Sequence, residues 1–270
     1  MGRNKFQRLS KDEKKTIWKL TEEGKSLNKI SRLMGINKNT VYYNVLQIKP
    51  KINRKIIFDN ISEKEGGELI GAFAGDGSYY HQNYDKKKKN SVQHRIRYHL
   101  SLQDDIDYAK YMLRLLKKIN LNPHIIKNEK IGRLDISLSS KSFIELIKKH
   151  LIWKKNKTLT IGLKHHLKNY SRDFLVGFAR GLMDTDGYVE ISNASCACIS
   201  KRLIHNLISI FDFFKIKYKL TEKVRKNRKK LFLVRVYRES LNNYFEIMGF
   251  SNPYKLKALK QILKRGYRKD

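Results

Sequence analysis

Two aspartates, each followed by a glycine, end the two most similar segments of this sequence. The first segment, GGELIGAFAGDGSYY, covers residues 66–80, and the second, LVGFARGLMDTDGYVEIS, covers residues 175–192. The aspartates are Asp76 and Asp186, which lie 110 residues apart. Because carboxylate oxygens are the ligands that Mg²⁺ prefers, a pair of aspartates is typical of a divalent-metal site. Such a site requires that the two segments meet in space.

Small residues in both segments favour a close helix pair. They are Gly71, Ala74 and Gly75 in the first segment, and Gly177, Gly181 and Thr185 in the second. Helices with such faces can pack side by side, which would bring the two aspartates together at adjoining C-terminal ends. The two carboxylates would repel each other there, and a cation would relieve that repulsion. Gly77 and Gly187 are expected to stop the helices with positive φ, although an Asp-Gly pair that merely ends a helix is the simpler alternative.

The same order of elements follows both aspartates: two strands, a helix, a hairpin and a helix. In the first copy we predict strands at 78–84 and 92–102, a helix at 106–119, a hairpin at 124–139 and a helix at 142–151. The second copy gives strands at 188–192 and 195–199, a helix at 202–214, a hairpin at 217–237 and a helix at 241–248, with a further helix at 255–265. Alternating stretches such as HRIRYHLSL predict one apolar and one basic face on each sheet.

The first 48 residues have helical spacing of apolar side chains and predict three short helices. Ser26 and Asn37 are candidate N-caps for helices at 27–34 and 38–47, and Gly35 supplies the turn between them. This pattern predicts a helix-turn-helix, whose second helix would present side chains to DNA: Lys38, Asn39, Thr40, Tyr42, Tyr43 and Asn44. The alternative is a three-helix bundle that only packs against the rest. Residues 49–65 are basic and predict a linker.

The overall charge indicates a polyanionic partner. The chain has 59 Lys and Arg against 25 Asp and Glu, a formal net charge of +34. No run of 18 apolar residues could span a membrane, and the opening ten residues lack the apolar core of a signal peptide. We therefore expect an intracellular protein that is not secreted, in the cytoplasm or nucleoid, with an organelle also compatible. The two cysteines, Cys196 and Cys198, fit a reducing compartment and make no standard zinc site.

The two acidic segments resemble the motifs of the LAGLIDADG homing endonucleases, with LIGAFAGDG at 69–77 and ARGLMDTDG at 179–187. The resemblance covers about residues 66–265 and implies a two-motif monomer with internal pseudo-twofold symmetry. It implies an α+β fold of two αββαββα halves, packed through their motif helices, with a saddle of strands over double-stranded DNA. Together with the N-terminal helices, this predicts a helix-turn-helix domain at 1–48, the linker at 49–65, and the two halves at 66–160 and 161–270.

The resemblance also assigns roles to residues. Asp76 and Asp186 would bind the divalent metal, with Gly75 and Thr185 as further residues of the metal site. The other motif acid occurs only once, as Asp184, with Ala74 in its place in the first motif. Polar residues at the end of the second strand match Gln103 and Ser200, and a lysine after the last helix of each half matches Lys155 and Lys255. The basic strand positions that would contact DNA are Arg95, Arg97, Arg133, Lys223, Arg225 and Arg235.

These assignments predict hydrolysis of both DNA strands with Mg²⁺, or another divalent cation such as Mn²⁺. Water would be the nucleophile, and Lys155 and Lys255 would stabilise the developing charge. The sequence shows no evident Ser-His-Asp set and no phosphate-binding glycine loop, which argues against acyl transfer and nucleotide hydrolysis. Two alternatives remain open: a transcription regulator that binds DNA without cutting it, and an RNA maturase, since a basic surface does not separate DNA from RNA.

Overall fold

The computed structural model describes residues 9–48, 56–83, 92–225 and 228–265, and the chain divides into two compact units after Lys55. The first unit contains the helices α1 (Lys11–Glu22), α2 (Leu27–Met34) and α3 (Lys38–Ile48). Ser10 and Glu13 form a capping box at the start of α1, and Ser26 caps α2. Gly35 ends α2 with φ 60°, a left-handed conformation that suits glycine. The unit buries Ile17, Ile30, Ile36 and Val41 in its own small core.

The segment expected to link the units is shorter than residues 49–65. Residues 49–55 lie outside the described parts of the chain, whereas the residues from Ile56 onward belong to the second unit. A short 3-10 helix, Phe58–Asn60, precedes the helix α4 (Glu63–Asp76). This helix begins before Gly66 because Ser62 and Glu65 form a capping box, which satisfies backbone donors at the helix start.

The second unit contains two halves with the same element order. In the first half, α4 is followed by β1 (Gly77–Asn83), β2 (Val92–Ser101), α5 (Ile106–Lys118), β3 (His124–Asn128), β4 (Arg133–Ser139) and α6 (Lys141–His150). A connecting segment then forms β5 (Leu151–Ile152), α7 (Lys157–Thr160) and β6 (Gly162–Leu163). The second half contains α8 (Arg172–Asp186), β7 (Gly187–Val189), β8 (Ala194–Cys198), α9 (Lys201–Phe213), β9 (Tyr218–Arg225), β10 (Arg228–Val236) and α10 (Leu241–Ile247), and α11 (Pro253–Lys264) follows.

Each half contains one antiparallel sheet of four strands. The orders are β1-β2-β4-β3 and β7-β8-β10-β9, so the two sheets have the same topology. Alternate residues of the strands point toward the helices and form the core; Ile96, Tyr98 and Ile136 are completely buried. The opposite face of the first sheet carries polar and basic side chains. The predicted α+β class is confirmed, and no helix in the described residues is long and apolar enough to cross a membrane.

The helices α4 and α8 cross at a line of small residues. A Cβ atom placed on Gly67 or Gly71 would collide with backbone atoms of Phe174 or Phe178 on α8, and one on Gly177 or Gly181 would collide with backbone of α4. Gly75 faces Thr185 at the C-terminal end of this line. The close approach on α4 therefore depends on three glycines four positions apart, Gly67, Gly71 and Gly75. Ala74 had been expected at this contact, but Gly67 makes it instead.

The two glycines after the aspartates do not have the expected positive φ. Gly77 has φ −76° and Gly187 has φ −88°, so both are extended and begin the strands β1 and β7. A Cβ atom on either glycine would instead collide with the preceding helical turn, at Phe73 or Met183. Glycine is needed here because the chain turns sharply from helix into strand.

Candidate active site

Asp76 and Asp186 are the last residues of α4 and α8, and both line one pocket of about 450 Å³. The Asp186 carboxyl carbon lies 3.2 Å from the position that a Cβ on Gly75 would occupy, so it sits directly beside the end of α4. Burial raises the pKa of Asp76 to about 7, and the charge of Asp186 adds to this rise. Burial also raises the pKa of Asp186, to about 6. Both carboxylates are therefore held where their negative charge is unfavourable without a cation.

One lysine contacts the end of each motif helix. Lys157, at the start of α7, donates hydrogen bonds of 2.9 Å from its Nζ to the carbonyl oxygens of Ala74 and Gly75. Lys255 on α11 makes the equivalent contacts with α8, donating to the carbonyls of Met183, Asp184 and Thr185. Because the C-terminal end of a helix carries partial negative charge, both ammonium groups are well placed. Burial lowers the pKa of Lys157 to about 8, while Asp186 and Asp76 oppose this shift.

The structure places Lys157, and not Lys155, at the pair of aspartates. Lys155 is exposed and lines a different pocket, together with Trp153 and Lys148. The two lysines lie in the same KKNK run, so the sequence located the segment but not the residue. The turn that starts α7 after Asn156 decides the register, because Lys157 is the first residue of that helix. Lys255, by contrast, is the lysine named from the sequence and contacts the end of α8.

The donor set at the aspartates suits a hard divalent cation. The two carboxylates offer oxygen ligands, and the carbonyls of Gly75 and Thr185 lie at the same helix ends. Each of these carbonyls accepts a lysine hydrogen bond, and a carbonyl oxygen keeps a second lone pair for another partner. Within the described residues, no group of three or more His, Cys, Asp and Glu side chains could hold a metal. An ion here would therefore need additional ligands from water or phosphate, which is usual for Mg²⁺.

Asp184 has a structural contact that the sequence did not indicate. Its carboxylate is completely buried and accepts hydrogen bonds from the backbone N–H groups of Ser251 at 3.1 Å and Asn252 at 3.0 Å. Asn252 is the N-cap of α11, the helix that carries Lys255. Burial raises the pKa of Asp184 to about 7, against the opposing effect of those N–H groups. The extra motif acid thus fixes the start of the helix that positions Lys255.

The two polar residues at the ends of the second strands have different surroundings. Gln103 is exposed in the turn after β2, and its backbone N–H donates to the Ser101 hydroxyl. Ser200 is buried, caps α9 by accepting from the Leu203 N–H, and donates to the carbonyl oxygen of Ile161 at 2.6 Å. Ser200 therefore uses its hydroxyl to join α9 to the connecting segment, and neither residue lines the pocket of the aspartates.

The basic strand residues whose side chains the structure describes lie on the sheet faces that point away from the helices, but several are paired. Arg97 and Arg133 both contact Asp135, with N···O distances of 3.7 and 3.0 Å. Arg95 donates to Gln93, and Arg235 lies 3.7 Å from Glu190. Lys223 is exposed, and the side chain of Arg225 lies outside the described parts of the chain.

The helix α3 presents most of the side chains expected at its surface. Lys38, Asn39 and Tyr43 are exposed, and Thr40 and Tyr42 are half-buried. Asn44 differs from the expectation, because it is buried and its amide donates to the Thr40 carbonyl oxygen one turn earlier. That side chain completes the interior of the three-helix unit, and it is not available to a ligand.

A hydrogen-bonded chain on the first sheet was missed by the sequence reasoning. Ser78, His99 and Asp135 come from three neighbouring strands, β1, β2 and β4, and their side chains are joined in that order. The residues lie 21 and 36 positions apart, so only the strand register shows that they meet. The first sheet therefore contains a hydrogen-bonded set of Ser, His and Asp side chains that is not evident in the sequence.

Two halves of this topology, packed through glycine-lined helices that end in an acidic pair, define the LAGLIDADG class of fold. The chain has this fold, and residues 173–249 match the LAGLIDADG-like domain family. The match covers the second half from near the start of α8 to just beyond α10. The resemblance seen in the two sequence motifs is thereby confirmed.

Two solved structures of the homing endonuclease I-DmoI and one curated protein are similar to this chain. The crystal structure of I-DmoI in complex with DNA and Ca has a TM-score of 0.54 and 13% identity, and the similarity covers 74% of this chain and 98% of that one. The complex of I-DmoI with DNA and Mn has a TM-score of 0.52 and 13% identity, covering 69% and 96%. The replication factor C small subunit of Methanocaldococcus jannaschii is 29% identical over 215 residues, which is 78% of this chain and only 11% of that protein.

Proposed function

We propose that this protein is a site-specific endonuclease that hydrolyses one phosphodiester bond in each strand of double-stranded DNA with the help of divalent metal. The observation that carries this proposal is the half-buried pair Asp76 and Asp186 at two adjoining helix ends, lining one pocket. Burial and mutual repulsion raise the pKa of Asp76, so the pair is arranged at a cost in stability. Such unfavourable arrangements are common at functional sites.

In this proposal each group of the pocket has one role. Asp76 and Asp186 hold Mg²⁺ or Mn²⁺, which when bound supplies Lewis-acid stabilisation of phosphate charge and a more acidic water. Lys157 and Lys255 place one ammonium group at each helix end, where it stabilises charge that develops on the phosphate of its own half. Water is the nucleophile, and the two halves act on opposite strands. One chain supplies both aspartates and both lysines, so a monomer suffices.

Several features support DNA as the substrate. The net charge of +34 attracts a polyanion and lets it approach rapidly. The first sheet carries Arg95, Arg97 and Arg133 on its outward face, and the second carries Lys223 and Arg235, with Arg225 proposed beside them. The surface of α3 offers further polar side chains in the first unit. I-DmoI, which shares the fold, was crystallised with DNA together with Ca or Mn.

The test is cleavage of DNA by the purified full chain. The substrates are the sequences that flank its gene, joined without the gene, and a plasmid library with randomised inserts. We expect double-strand cuts at a defined sequence in Mg²⁺ or Mn²⁺, and binding without cuts in Ca²⁺ or EDTA. Sequence-specific binding without any cut in Mg²⁺ would contradict the proposal and indicate a DNA-binding regulator. Preferential binding of a folded RNA would indicate a maturase.

A further inference from the structure

Three side chains on the first sheet form a short chain of hydrogen bonds. The Ser78 hydroxyl lies 2.8 Å from Nε2 of His99, and Nδ1 of the same ring lies 2.7 Å from the Asp135 carboxylate. His99 and Asp135 are directly opposite each other on β2 and β4. Two fixed contacts on opposite sides of the ring leave His99 little freedom to rotate.

The surroundings of Asp135 decide which ring nitrogen carries the proton. Arg133 lies 3.0 Å from one carboxylate oxygen and Arg97 lies 3.7 Å from the other, so two cations are paired with the Asp135 carboxylate that contacts the ring. A carboxylate has no proton to donate, so Nδ1 of a neutral His99 carries the hydrogen. Nε2 is then an acceptor, and the Ser78 hydroxyl donates to it. The hydroxyl oxygen keeps its lone pairs for a further donor.

This chain of hydrogen bonds ends in the pocket of the aspartates. Ser78 and His99 line that pocket together with Asp76, Asp186 and Lys157. Ser78 is two residues beyond Asp76, near the start of β1, and lines the same pocket as that aspartate. Asp135, by contrast, is 4% exposed and does not line the pocket. Going from the pocket along the outward face of the sheet, the order is therefore Ser78, His99, Asp135.

Among the described residues of the second half, the aligned positions do not form an equivalent of this chain. Gly77 pairs with Tyr98 and Gly187 pairs with Cys196, which aligns the two sheets residue by residue. The residues aligned with Ser78, His99 and Asp135 are Tyr188, Ala197 and Leu233. Ala197 also lines the pocket, but it cannot accept a proton.

We propose that Ser78, His99 and Asp135 form a proton relay that serves phosphodiester hydrolysis in the first half only. This inference rests on the proposed nuclease function and adds to it a chemical difference between the two strands. Ser78 touches the attacking water and is the catalytic residue of the relay. His99 and Asp135 act through Ser78 and are positioning residues.

The relay moves one proton from the attacking water, through Ser78 and His99, to solvent. The oxygen of water forms the new bond to phosphorus, and its proton passes to the Ser78 oxygen while the Ser78 proton passes to Nε2 of His99. The bridging P–O bond breaks, and its oxygen leaves with a proton from solvent. Asp135 stabilises the imidazolium that has formed, which returns its extra proton to solvent.

Strand-resolved kinetics test the relay. A duplex target labelled differently on its two strands is cut in Mg²⁺ at saturating protein by the wild type, by His99→Ala and by His205→Ala. His205 is a matched control, because it is an exposed histidine on α9 in the other half. We expect His99→Ala to cut one strand about 100-fold more slowly, the usual scale for loss of a general base, and the other strand at the wild-type rate. His205→Ala should cut both strands normally.

Addition of imidazole separates a proton relay from a structural role. Imidazole should restore at least part of the slow strand's rate in His99→Ala, and it should not affect the wild type. Ser78→Ala, a small change at a half-buried position, should slow the same strand. Both variants should bind DNA in Ca²⁺ as the wild type does.

The outcomes distinguish the relay from the function on which it rests. If the wild type cuts both strands and His99→Ala slows both equally, slows neither, or gains nothing from imidazole, the relay is wrong while the nuclease proposal stands. If the wild type cuts no substrate in any divalent metal, both proposals are wrong. Loss confined to one strand with rescue by imidazole supports the relay.

Discussion

The two halves of the second unit are alike where they meet and different where they face outward. At the helix ends each half contributes one aspartate and one lysine, and both lysines bind the carbonyls of the motif helix. On the sheets, by contrast, His99 and Asp135 in one half correspond to Ala197 and Leu233 in the other. Under the proposed function, the shared pocket requires matched groups from both halves, whereas each sheet face would meet a different stretch of DNA and is free to differ.

The elements that deliver the two lysines also differ. Lys157 is the first residue of the four-residue helix α7, whereas Lys255 is the third residue of the twelve-residue helix α11. Asp184 holds the start of α11, and Ala74 at the matching place in α4 leaves α7 without such a contact. The same final contact is thus reached by two routes, so the position of one lysine does not predict the other by simple alignment.

The largest expected effect comes from breaking the contact that both halves share. Gly71→Ala would place a Cβ within the backbone of α8, where neither helix can yield without separating from the other. We expect a loss of about 3 kcal/mol in the free energy of unfolding, at the upper end for an overpacked interior, and the same for Gly181→Ala. Urea denaturation measures it. Gly66→Ala is the matched control in α4, because a Cβ there meets only the Phe58 ring, which can move. Equal tolerance at positions 66 and 71 would contradict the described helix contact.

The next largest expected effect is a loss of cleavage when either pocket lysine, Lys157 or Lys255, is replaced. Lys157→Met should reduce cleavage of one strand about 100-fold, since it removes the charge beside that phosphate, and Lys255→Met should do the same for the other strand. Single-turnover cleavage of each labelled strand measures both. Lys155→Met is the control from the same run of residues and should change the rates by about twofold at most, as exposed substitutions usually do. A large loss of cleavage rate with Lys155→Met and none with Lys157→Met would show that Lys155 is the lysine that stabilises charge in the first half.

Much of this architecture could be predicted because its signals are local. The repeated acidic motifs, alternating strands and caps such as Ser26 located most elements within one or two residues. Side-chain positions that depend on tertiary packing could not be predicted from such local signals. The lysine register depends on where α7 begins, and Ser200 and Asn44 look like surface polar residues until their buried contacts are seen. The sign of φ at Gly77 likewise follows from the strand that starts there.

The three relay residues show most clearly what could not be predicted from the sequence. Ser78, His99 and Asp135 are common residue types in ordinary strand patterns, and nothing in their spacing links them. They meet because β2 lies between β1 and β4 in a particular register. A shift of one residue would turn His99 to the opposite face. Sequence reasoning can predict such strands, but it cannot fix their register to a single residue.

A third prediction concerns metal-free stability and pH. The folded protein raises the pKa of Asp76 from 3.8 to about 7 and that of Asp186 to about 6, so it binds protons more tightly than the unfolded chain between about pH 4 and 7. Its free energy of unfolding should therefore fall as pH rises through this range. Buried Glu68, with a pKa raised to about 8, and Asp184 contribute with the same sign.

Thermal unfolding in EDTA and in Mg²⁺ measures this effect. We expect the Tm in EDTA to fall by several degrees between pH 5 and about pH 7.5, at roughly 2–4 °C per kcal/mol for a unit of this size. Mg²⁺ should raise the Tm more at the higher pH, where the aspartates are charged. Above about pH 8, the lowered pKa of Lys157 makes the free energy of unfolding rise with pH. The Tm measurements are therefore compared only below about pH 8. A Tm that rises with pH in EDTA would contradict the raised pKa values of Asp76 and Asp186.

The smallest expected change in stability concerns the two polar residues at the ends of the second strands, Ser200 and Gln103. Ser200→Ala removes the cap of α9 and should cost about 1 kcal/mol of stability, while cutting continues at temperatures where the variant is folded. Gln103→Ala changes an exposed turn residue and should alter stability little. Differential scanning calorimetry and cleavage assays on both variants provide the readouts. A Ser200→Ala variant with normal Tm but no cleavage would return Ser200 to a catalytic role.

The most direct test of the central claim, that Asp76 and Asp186 form one shared metal-dependent centre, is strand-resolved cleavage by Asp76→Asn and Asp186→Asn. Each variant keeps the side-chain shape and removes one charge. We expect DNA binding in Ca²⁺ to persist, and double-strand cutting in Mg²⁺ to be abolished in both variants, with nicking of one strand at most. Full double-strand cutting by either variant would contradict the shared centre, and loss of DNA binding together with cutting would show that the aspartate is needed for folding instead.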